Sequence, residues 1–354
     1  MVRTVSLRDF RSYERLELSL QPGLVLVVGA NGVGKTNLLE AVHVATQGFS
    51  PRTRTDSQVV RFGAEGARSA VSGRRGDVGM ELEVTLRRGE GKRARLNGAP
   101  LRAAEQLRSL VSTLVFTPDR LGVVKGPPAA RRAYFDRVLG RLAPARAVLP
   151  AEYGAAVAQR NAALRRAAAS VSGRDAIEPW SGRVAALGAE LVAARLEVLA
   201  LLEPAFATRA DELGLAAVSV RYEGEPPTEE GLAAVLERDL ERGVTSLGPH
   251  LDDVVLVSEG RDLRSFGSQG EQRLALLALL LAEAETIAER TGVPPLLLLD
   301  DVLSELDPER RRILAARVRD AGQALVTATD AGMLPATPDQ LLEVRPGTVL
   351  EAAA

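Results

Sequence analysis

The most constraining feature of this 354-residue sequence is the glycine-rich segment Gly29–Thr36, which contains Gly-Ala-Asn-Gly-Val-Gly-Lys-Thr. It matches the phosphate-binding pattern G-x-x-x-x-G-K-[ST] at every defined position. The apolar run Leu24–Val28 before it predicts a buried strand, and the residues after Thr36 predict a helix. Strand, glycine-rich loop and helix in this order surround phosphates with backbone N–H groups. The sequence therefore predicts an α/β fold with a nucleotide-binding loop.

Two side chains at the end of this loop are expected to bind a phosphorylated ligand. Lys35 supplies a fixed cation for the terminal phosphates, and the hydroxyl of Thr36 is a ligand for Mg²⁺. The expected nucleotide-binding residues of the segment are Gly29, Ala30, Asn31, Gly32, Val33, Gly34, Lys35, Thr36 and Asn37.

A second motif lies near the end of the chain, where Leu296–Leu299 is entirely apolar and is followed by Asp300 and Asp301. The run predicts a buried strand that delivers carboxylates at its carboxyl end, where α/β sheets bind ligands. We expect Asp300 to hold Mg²⁺ and Asp301 to orient or activate the attacking water. Lys35, Asp300 and Asp301 are therefore the predicted catalytic residues.

The third motif is Ser268–Arg273, with the sequence Ser-Gln-Gly-Glu-Gln-Arg. Ser268 and Glu271 have the spacing of a capping box, which predicts a helix start. A helix N-terminus with a serine hydroxyl and a glycine N–H also binds anions. Ser268, Gln269 and Gly270 are therefore candidates to contact the γ-phosphate of a nucleotide bound elsewhere.

Composition limits the remaining chemistry. The chain has no cysteine and two histidines, which excludes a disulfide framework, a cysteine nucleophile and a thiolate zinc site. The 45 basic and 46 acidic residues nearly cancel, so binding of a polyanion must come from local clusters. No apolar run approaches the ~20 residues of a membrane span, so we expect a cytoplasmic protein without a membrane partner.

Changes in composition along the chain predict two lobes. Residues 1–120 and 290–354 form the predicted nucleotide-binding lobe. Alternating segments there, with the turn Asn97-Gly98, predict an antiparallel sheet beside the parallel one. Residues 121–289 form a second, mostly helical lobe that carries the third motif.

A short helical arm is predicted within this second lobe, at about residues 131–245. The supporting pattern is a heptad-like seam formed by Val184, Leu187, Leu191, Ala194, Val198 and Leu201. An ordinary bundle helix and a coiled-coil stub explain this seam equally well.

Further segments make the chain resemble the RecF family of ABC-type ATPases, which act in chromosome maintenance. These segments are Phe10-Arg11-Ser12, Ser50-Pro51-Arg52-Thr53, Gly248–Asp253 (GPHLDD), Ser304–Asp307 (SELD) and Thr327-Ala328-Thr329. The similarity runs from end to end. It implies an ABC-type fold like that of SMC heads, with ATP and Mg²⁺ as cofactors.

The resemblance also implies roles for individual residues. Arg11 and Arg52 become candidate nucleotide contacts, and Thr329 is a candidate at the position where many ABC proteins carry a switch histidine. Asp301 replaces the glutamate of most ABC ATPases, which implies slow turnover because a shorter side chain holds water less closely. The roles of His250 and the two aspartates after it stay open.

The implied function is ATP-dependent DNA binding in recombinational repair and replication. An ATP-induced homodimer would enclose duplex DNA or a duplex/single-strand junction, and weak DNA-stimulated ATP hydrolysis would reset it. The implied partners are RecR-type mediators and the RecA-loading machinery at single-strand gaps, and the implied location is the nucleoid.

Charge placement adds candidate DNA contacts. Ten basic and two acidic residues between positions 120 and 166 suit a polyanion. The DNA-binding candidates in this segment are Arg131, Arg132, Arg137 and Arg141.

The alternative function is the ATPase subunit of a membrane ABC transporter, which shares the three motifs but usually has SGGQ where this chain has SQGE.

Overall fold

Two separate stretches of the chain, residues 1–120 and 287–354, form one compact unit, and residues 121–286 form a second. The computed structural model describes residues 1–53, 55–117 and 121–352. Arg120, at the start of the basic segment, lies outside the described residues.

Strands of the described chain are numbered in sequence order. They are β1 (Val2–Phe10), β2 (Tyr13–Ser19), β3 (Leu24–Val28), β4 (Gly66–Arg75), β5 (Val78–Arg87), β6 (Gly91–Leu96), β7 (Ala99–Pro100), β8 (Thr113–Phe116), β9 (Val218–Glu223), β10 (Asp253–Ser258), β11 (Arg261–Asp262), β12 (Leu296–Leu299), β13 (Ala324–Ala328), β14 (Gln340–Arg345) and β15 (Thr348–Ala352).

The α-helices are numbered in the same way. They are α1 (Lys35–Gln47), α2 (Gly122–Lys125), α3 (Pro128–Leu142), α4 (Leu149–Ala168), α5 (Glu178–Glu212), α6 (Glu229–Ala234), α7 (Leu236–Arg242), α8 (Leu263–Phe266), α9 (Gln269–Thr291) and α10 (Pro308–Asp320).

A six-stranded sheet in the first unit has the order β15-β14-β3-β13-β12-β8. All its neighbouring strands are parallel except β14 and β15. The apolar runs Leu24–Val28 and Leu296–Leu299 form β3 and β12, as predicted, and their side chains are almost entirely buried. Because β13 lies between these strands, the residues that follow β3 and β12 meet at one edge of the sheet.

The same unit contains the predicted antiparallel sheet, in the order β2-β1-β4-β5-β6-β7. Its strands alternate, so that Val5, Leu7 and Leu82 are buried in the core while the opposite face is open. Asn97 and Gly98 adopt φ angles of 49° and 80° between β6 and β7, which confirms the predicted hairpin turn.

The second unit is mostly helical, with a three-stranded antiparallel sheet, β11-β10-β9. Its longest helix is α5, and the predicted seam is buried along it from Val184 to Val198. At the last predicted seam position, Leu201 is only half buried, and the neighbouring Leu202 is buried instead. Since α5 packs against α3, α4, α6 and β9, it is a bundle helix and not half of a two-stranded coiled coil. In the described ranges, no helix has the length and apolar character to cross a membrane.

Candidate nucleotide-binding site

The carboxyl edge of the parallel sheet joins the first two motifs. The loop after β3 leads into α1, and Asp300 follows β12. The hydroxyl of Thr36 donates to both carboxylate oxygens of Asp300, at 3.0 and 2.8 Å. The sequence prediction that these two residues act together therefore agrees with their geometry.

The glycine-rich loop has room only for glycine at two positions. Gly29 has φ 153°, and a Cβ there would lie 2.7 Å from the carbonyl oxygen of Val344. Gly34 has φ 123°, and a Cβ there would lie 2.9 Å from the hydroxyl of Ser12. A Cβ on Gly32, by contrast, would meet nothing within 4 Å. The loop is thus packed at its ends and open at its middle, as a phosphate cradle requires.

Lys35 begins α1 and is folded into this loop. Its ammonium donates to the carbonyl oxygens of Gly29 and Ala30, at 2.6 and 3.0 Å. Burial lowers the pKa of Lys35, while the nearby charges of Asp301 and Asp300 oppose that shift. The cation is therefore held at the loop by carbonyl groups that a phosphate can replace.

Thr327 on β13 connects the two aspartates, and sequence reasoning, which named it only within the segment Thr327-Ala328-Thr329, missed this role. Its hydroxyl donates to Asp300 Oδ1 and accepts the backbone N–H of Asp301, both at 2.8 Å. Thr329, the predicted switch position, instead donates to the sulfur of Met333 and is exposed. The physical reason is that β13 ends at Ala328, so the chain turns away before Thr329.

The two carboxylates occupy different surroundings. Burial raises the pKa of Asp300, although hydrogen bonds from Thr327 and Thr36 lower it again in part. Asp301 has φ 49° and starts a short 3-10 helix. Its Oδ1 is buried without a hydrogen-bond partner among the described residues. A buried acceptor of this kind retains capacity for a water or a ligand.

Glu40 on α1 is a second residue that sequence reasoning missed. It is 1% exposed and accepts hydrogen bonds from Nε and Nη2 of Arg11, at 2.9 and 2.7 Å. It also accepts hydrogen bonds from Arg52 and Ser50. The signal in the sequence was one charged residue within the apolar stretch of the helix. The predicted nucleotide contacts Arg11 and Arg52 are therefore fixed to α1 beside the loop.

Magnesium fits the donors at this edge of the sheet. The described residues contain no group of three or more acidic or histidine side chains that could hold a metal on its own. Thr36 and Asp300 supply one hydroxyl and one carboxylate. Mg²⁺ in nucleotide sites takes few protein ligands and completes its shell with phosphates and water. Thr36 and Asp300 are the residues that would hold it.

The third motif forms a helix start in the second unit. The Ser268 N–H donates to Glu271 Oε2 at 2.7 Å, and the Glu271 N–H donates to Ser268 Oγ at 3.2 Å. The predicted capping box is therefore confirmed. Hydrogen bonding of the Glu271 carboxylate to Ser268 lowers the pKa of Glu271. Ser268, Gln269 and Gly270 are all exposed, so they are accessible to an anion.

The predicted DNA contacts on α3 need correction. Arg131 is 2% exposed and donates to both carboxylate oxygens of Asp253, at 2.7 and 2.5 Å. Arg141 pairs with Glu283, which is also buried. Arginines that are buried in ion pairs have no accessible donors for a phosphate. The prediction that Arg131 and Arg141 contact DNA is therefore wrong.

The other two candidates on α3 are half buried. Arg132 donates to the backbone carbonyl of Asp252, and Arg137 also has a partner within the protein. Sequence could not separate these arginines from solvent-facing ones, because a basic residue on a helix serves either role.

The segment GPHLDD has a structural role in the second unit. His250 Nδ1 lies 2.7 Å from the hydroxyl of Tyr153, and its Nε2 lies 3.0 Å from the carbonyl oxygen of Thr245. Asp252 accepts the hydroxyl hydrogen of Tyr222 at 2.6 Å. Together with the Asp253 ion pair, these contacts bind the segment to α3, α4 and β9.

Comparisons with known proteins agree with this geometry. The sequence model described as the RecF/RecN/SMC N terminal domain matches residues 1–349. The DNA replication and repair protein RecF of Symbiobacterium thermophilum is 38% identical over 98% of this chain and 97% of its own length. The chain belongs to the RecF family. The RecF protein of Frankia alni is 39% identical over 94% of both chains.

Solved structures give the same result. A structure described as the recombination mediator protein RecF with ATP in the RecFOR pathway superposes with a TM-score of 0.91 at 26% identity, and covers 99% of this chain and 97% of its own. An SMC head bound to part of ScpA has a TM-score of 0.60 at 17% identity, which shows the fold alone. The predicted ABC-type fold like that of SMC heads is thereby confirmed.

Proposed function

We propose that this protein is an ATP-dependent DNA-binding protein of recombinational repair and replication, and that it uses slow ATP hydrolysis as a switch. The observation that carries the proposal is the arrangement of Thr36, Asp300, Asp301 and Thr327 at one sheet edge. Its relatives are named for DNA replication and repair, and one structural relative is described with ATP.

The geometry supports a division of labour between the two aspartates. Asp300 is held by two hydroxyl groups and is the residue suited to Mg²⁺, which offsets phosphate charge when bound. Asp301 keeps one buried oxygen without a partner and is suited to accept a proton from water. Lys35 supplies the second positive charge at the terminal phosphates once its carbonyl contacts are replaced.

The third motif extends the proposal to a homodimer. Ser268, Gln269 and Gly270 stand exposed at the start of a 23-residue helix, and such a helix start attracts anions. We propose that this surface binds the γ-phosphate held by a second copy of the chain, so that ATP drives dimer formation. RecR-type mediators, RecA loading, DNA stimulation of the ATPase and nucleoid association remain part of the same proposal.

The DNA-contacting surface requires arginines that are accessible. Arg8 on β1 and Arg15 on β2 stand directly opposite each other and are both exposed. Arg68 on β4 is the other direct neighbour of Arg8 and pairs with Glu83. Like charges placed directly opposite each other are destabilising unless an anion joins them. We propose that Arg8 and Arg15 contact DNA phosphates.

The test separates the two aspartates. In the variant Asp301→Asn we expect ATP and DNA binding to persist, while ATP hydrolysis slows by about 10²- to 10⁴-fold, the usual contribution of a general base. In Asp300→Asn we expect Mg²⁺-dependent ATP binding to weaken, and ATP-dependent DNA binding with it. Equilibrium ATP binding, steady-state hydrolysis and duplex binding are measured on both variants. Wild-type hydrolysis in both variants would contradict the assignment.

A further inference from the structure

A pocket of about 530 Å³ lies in the first unit, away from the nucleotide-binding edge. Leu296, the first residue of β12, lines this pocket, whereas Asp300 follows the other end of the same strand. Gln323, just before β13, also lines it. The pocket is therefore at the amino ends of the parallel strands, and the proposed function does not use it.

The interior of the pocket is apolar. Val71 and Leu82, direct partners across β4 and β5, contribute to it and are almost completely buried. Met80, Leu110 and Val111 complete this side. Its volume falls in the range of about 300–1,000 Å³ that is typical of sites for small ligands and side chains.

The charged residues that line the pocket all carry positive side chains. They are Arg3, Arg74 and Arg75, and no aspartate or glutamate is among the described residues that line it. All three are exposed. Arg75 uses one N–H to donate to the carbonyl oxygen of Ser109 at 3.3 Å, which leaves its other donors accessible.

Two of these arginines differ in how they are held. Arg74 contacts the side chain of Asp77 at 3.5 Å, but that carboxylate is fully exposed. The guanidinium of Arg3 has neither an ion pair nor a hydrogen bond among residues 1–53, 55–117 and 121–352. An anionic group at this rim would therefore meet arginine N–H donors that have few other hydrogen-bond or ion-pair partners in the protein.

Another part of the lining is apolar and exposed. Val293 is 43% exposed, and Pro294 beside it is also exposed. Gly322 lets the chain pack closely against Pro294, because a Cβ on Gly322 would lie 2.9 Å from the ring of Pro294. An occupant of the pocket thus meets both exposed apolar surface and guanidinium groups.

We propose that this pocket docks a peptide segment of a partner protein that carries carboxylates beside apolar side chains. Carboxylates form two parallel hydrogen bonds with arginine, and apolar side chains fill the buried interior. A nucleic-acid backbone fits less well, because it offers phosphates but no apolar groups for the interior. The charge and the apolar lining together therefore favour an acidic, apolar peptide.

The methionines of the chain offer a direct test by NMR. Met80 lines the pocket, whereas Met333 contacts Thr329 and does not line it. The protein is labelled with ¹³C at methionine methyl groups and titrated with acetylated, amidated hexapeptides in which leucine and aspartate alternate or form blocks. At least one acidic peptide should shift the Met80 signal saturably and leave Met333 unchanged. The same peptide with asparagine in place of aspartate should bind about tenfold or more weakly.

A charge-reversal variant supplies the second arm of the test. Arg74→Glu with Arg75→Glu should weaken binding of that peptide tenfold or more, at an unchanged melting temperature. The matched control is Arg88→Glu with Arg102→Glu, because both arginines are exposed and neither lines the pocket. The control should bind like the wild type.

Several outcomes would overturn the proposal. One is that no acidic peptide shifts Met80, and another is that the control variant loses as much affinity as the pocket variant. Equal saturation by octanoate would identify a site for small apolar carboxylates instead. Saturation by a DNA duplex, with the same shift of Met80, would identify a nucleic-acid surface.

Discussion

At the scale of single residues, the catalytic edge depends on a hydroxyl group that carries no charge and belongs to none of the three motifs. Thr327 is completely buried and its hydroxyl is the donor to Asp300 and the acceptor for the N–H of Asp301. It therefore fixes the carboxylate proposed for magnesium and the backbone of the carboxylate proposed as base. We infer that Thr327 is a positioning residue for ATP hydrolysis.

The variant Thr327→Val tests this role, since it keeps the side-chain shape and removes the hydroxyl. Loss of a buried hydrogen-bond partner costs about 1–3 kcal/mol, so we expect a reduced free energy of unfolding. The Mg²⁺ concentration for half-maximal ATPase activity should also rise, which a purely structural role would not produce. Thr329→Val is the matched control and should change neither quantity. A Thr327→Val variant with wild-type magnesium dependence would refute the role.

Sequence alone predicts the residues of this site that chemistry restricts to one type. Gly34, Lys35 and Asp300 fall in this class, because close backbone approach, a fixed cation and a metal ligand each require a particular side chain. Thr327 and Glu40 could not be assigned in the same way. The role of Thr327 depends on β13 lying beside β12, and the role of Glu40 depends on which side chains face α1. Both of these neighbour relations are set by the tertiary fold and not by local sequence.

At the scale of elements, strand register decides which arginines are accessible to DNA. In α3, Arg131 and Arg141 are held in ion pairs with other parts of the second unit, whereas β1 and β2 place Arg8 and Arg15 together on an open face. Acidic side chains share this face, since Glu17 lies two residues along β2 and accepts a hydrogen bond from Ser6. The phosphate contacts are therefore expected at the arginine end of the strands.

Neutralising both arginines, in Arg8→Gln with Arg15→Gln, should weaken duplex binding and make it less sensitive to salt. Each lost phosphate contact lowers the slope of log affinity against log salt by about 0.9. Two contacts per chain predict a change of about 1.8 for a single chain and about 3.6 for the proposed ATP-bound dimer, measured by titrations over a salt series with ATP present. Arg87→Gln with Arg93→Gln, on β5 and β6, is the control, because both of those arginines pair with Glu90. An unchanged slope in the Arg8 and Arg15 variant would place the DNA surface elsewhere.

Element boundaries follow from the sequence where local chemistry determines them. The capping box at Ser268 and the turn at Asn97-Gly98 are set by neighbouring residues, and both are found as predicted. The seam on α5 predicted the helix but not its partners. A stripe of apolar residues shows only that one side of a helix is covered, and here several elements cover it.

At the scale of the whole molecule, stability should fall in mildly acidic solution because of His250. Burial lowers the pKa of His250, and the nearby charge of Arg132 lowers it further, against the opposing effects of Thr245 and Asp252. The unfolded chain then binds more protons than the folded one as pH falls below about 6.5, the ordinary histidine value. The free energy of unfolding should drop by up to about 1.4 kcal/mol per pH unit between the unfolded and folded pKa values.

In His250→Gln this loss of stability on acidification should be smaller, as measured by urea unfolding at pH 7.5 and 5.5. Equal losses in both proteins would assign the acid sensitivity to other groups.

Assembly is the property of the whole molecule that links ATP to DNA in the proposed function. If the exposed start of α9 binds the nucleotide of a second copy, ATP should shift the chain from monomer to dimer, since a ligand that binds only the dimer stabilises it. The variant Ser268→Arg fills this surface with a larger, charged side chain, so it should remain monomeric at saturating ATP. Sedimentation velocity in the Asp301→Asn background, where hydrolysis is slow, measures this directly. Ser265→Arg is the control: Ser265 is also exposed, donates to Asp262 at 3.1 Å, and lies three residues before the capping box. It should still dimerise with ATP, and a Ser268→Arg variant that dimerises equally well would show that the interface lies elsewhere.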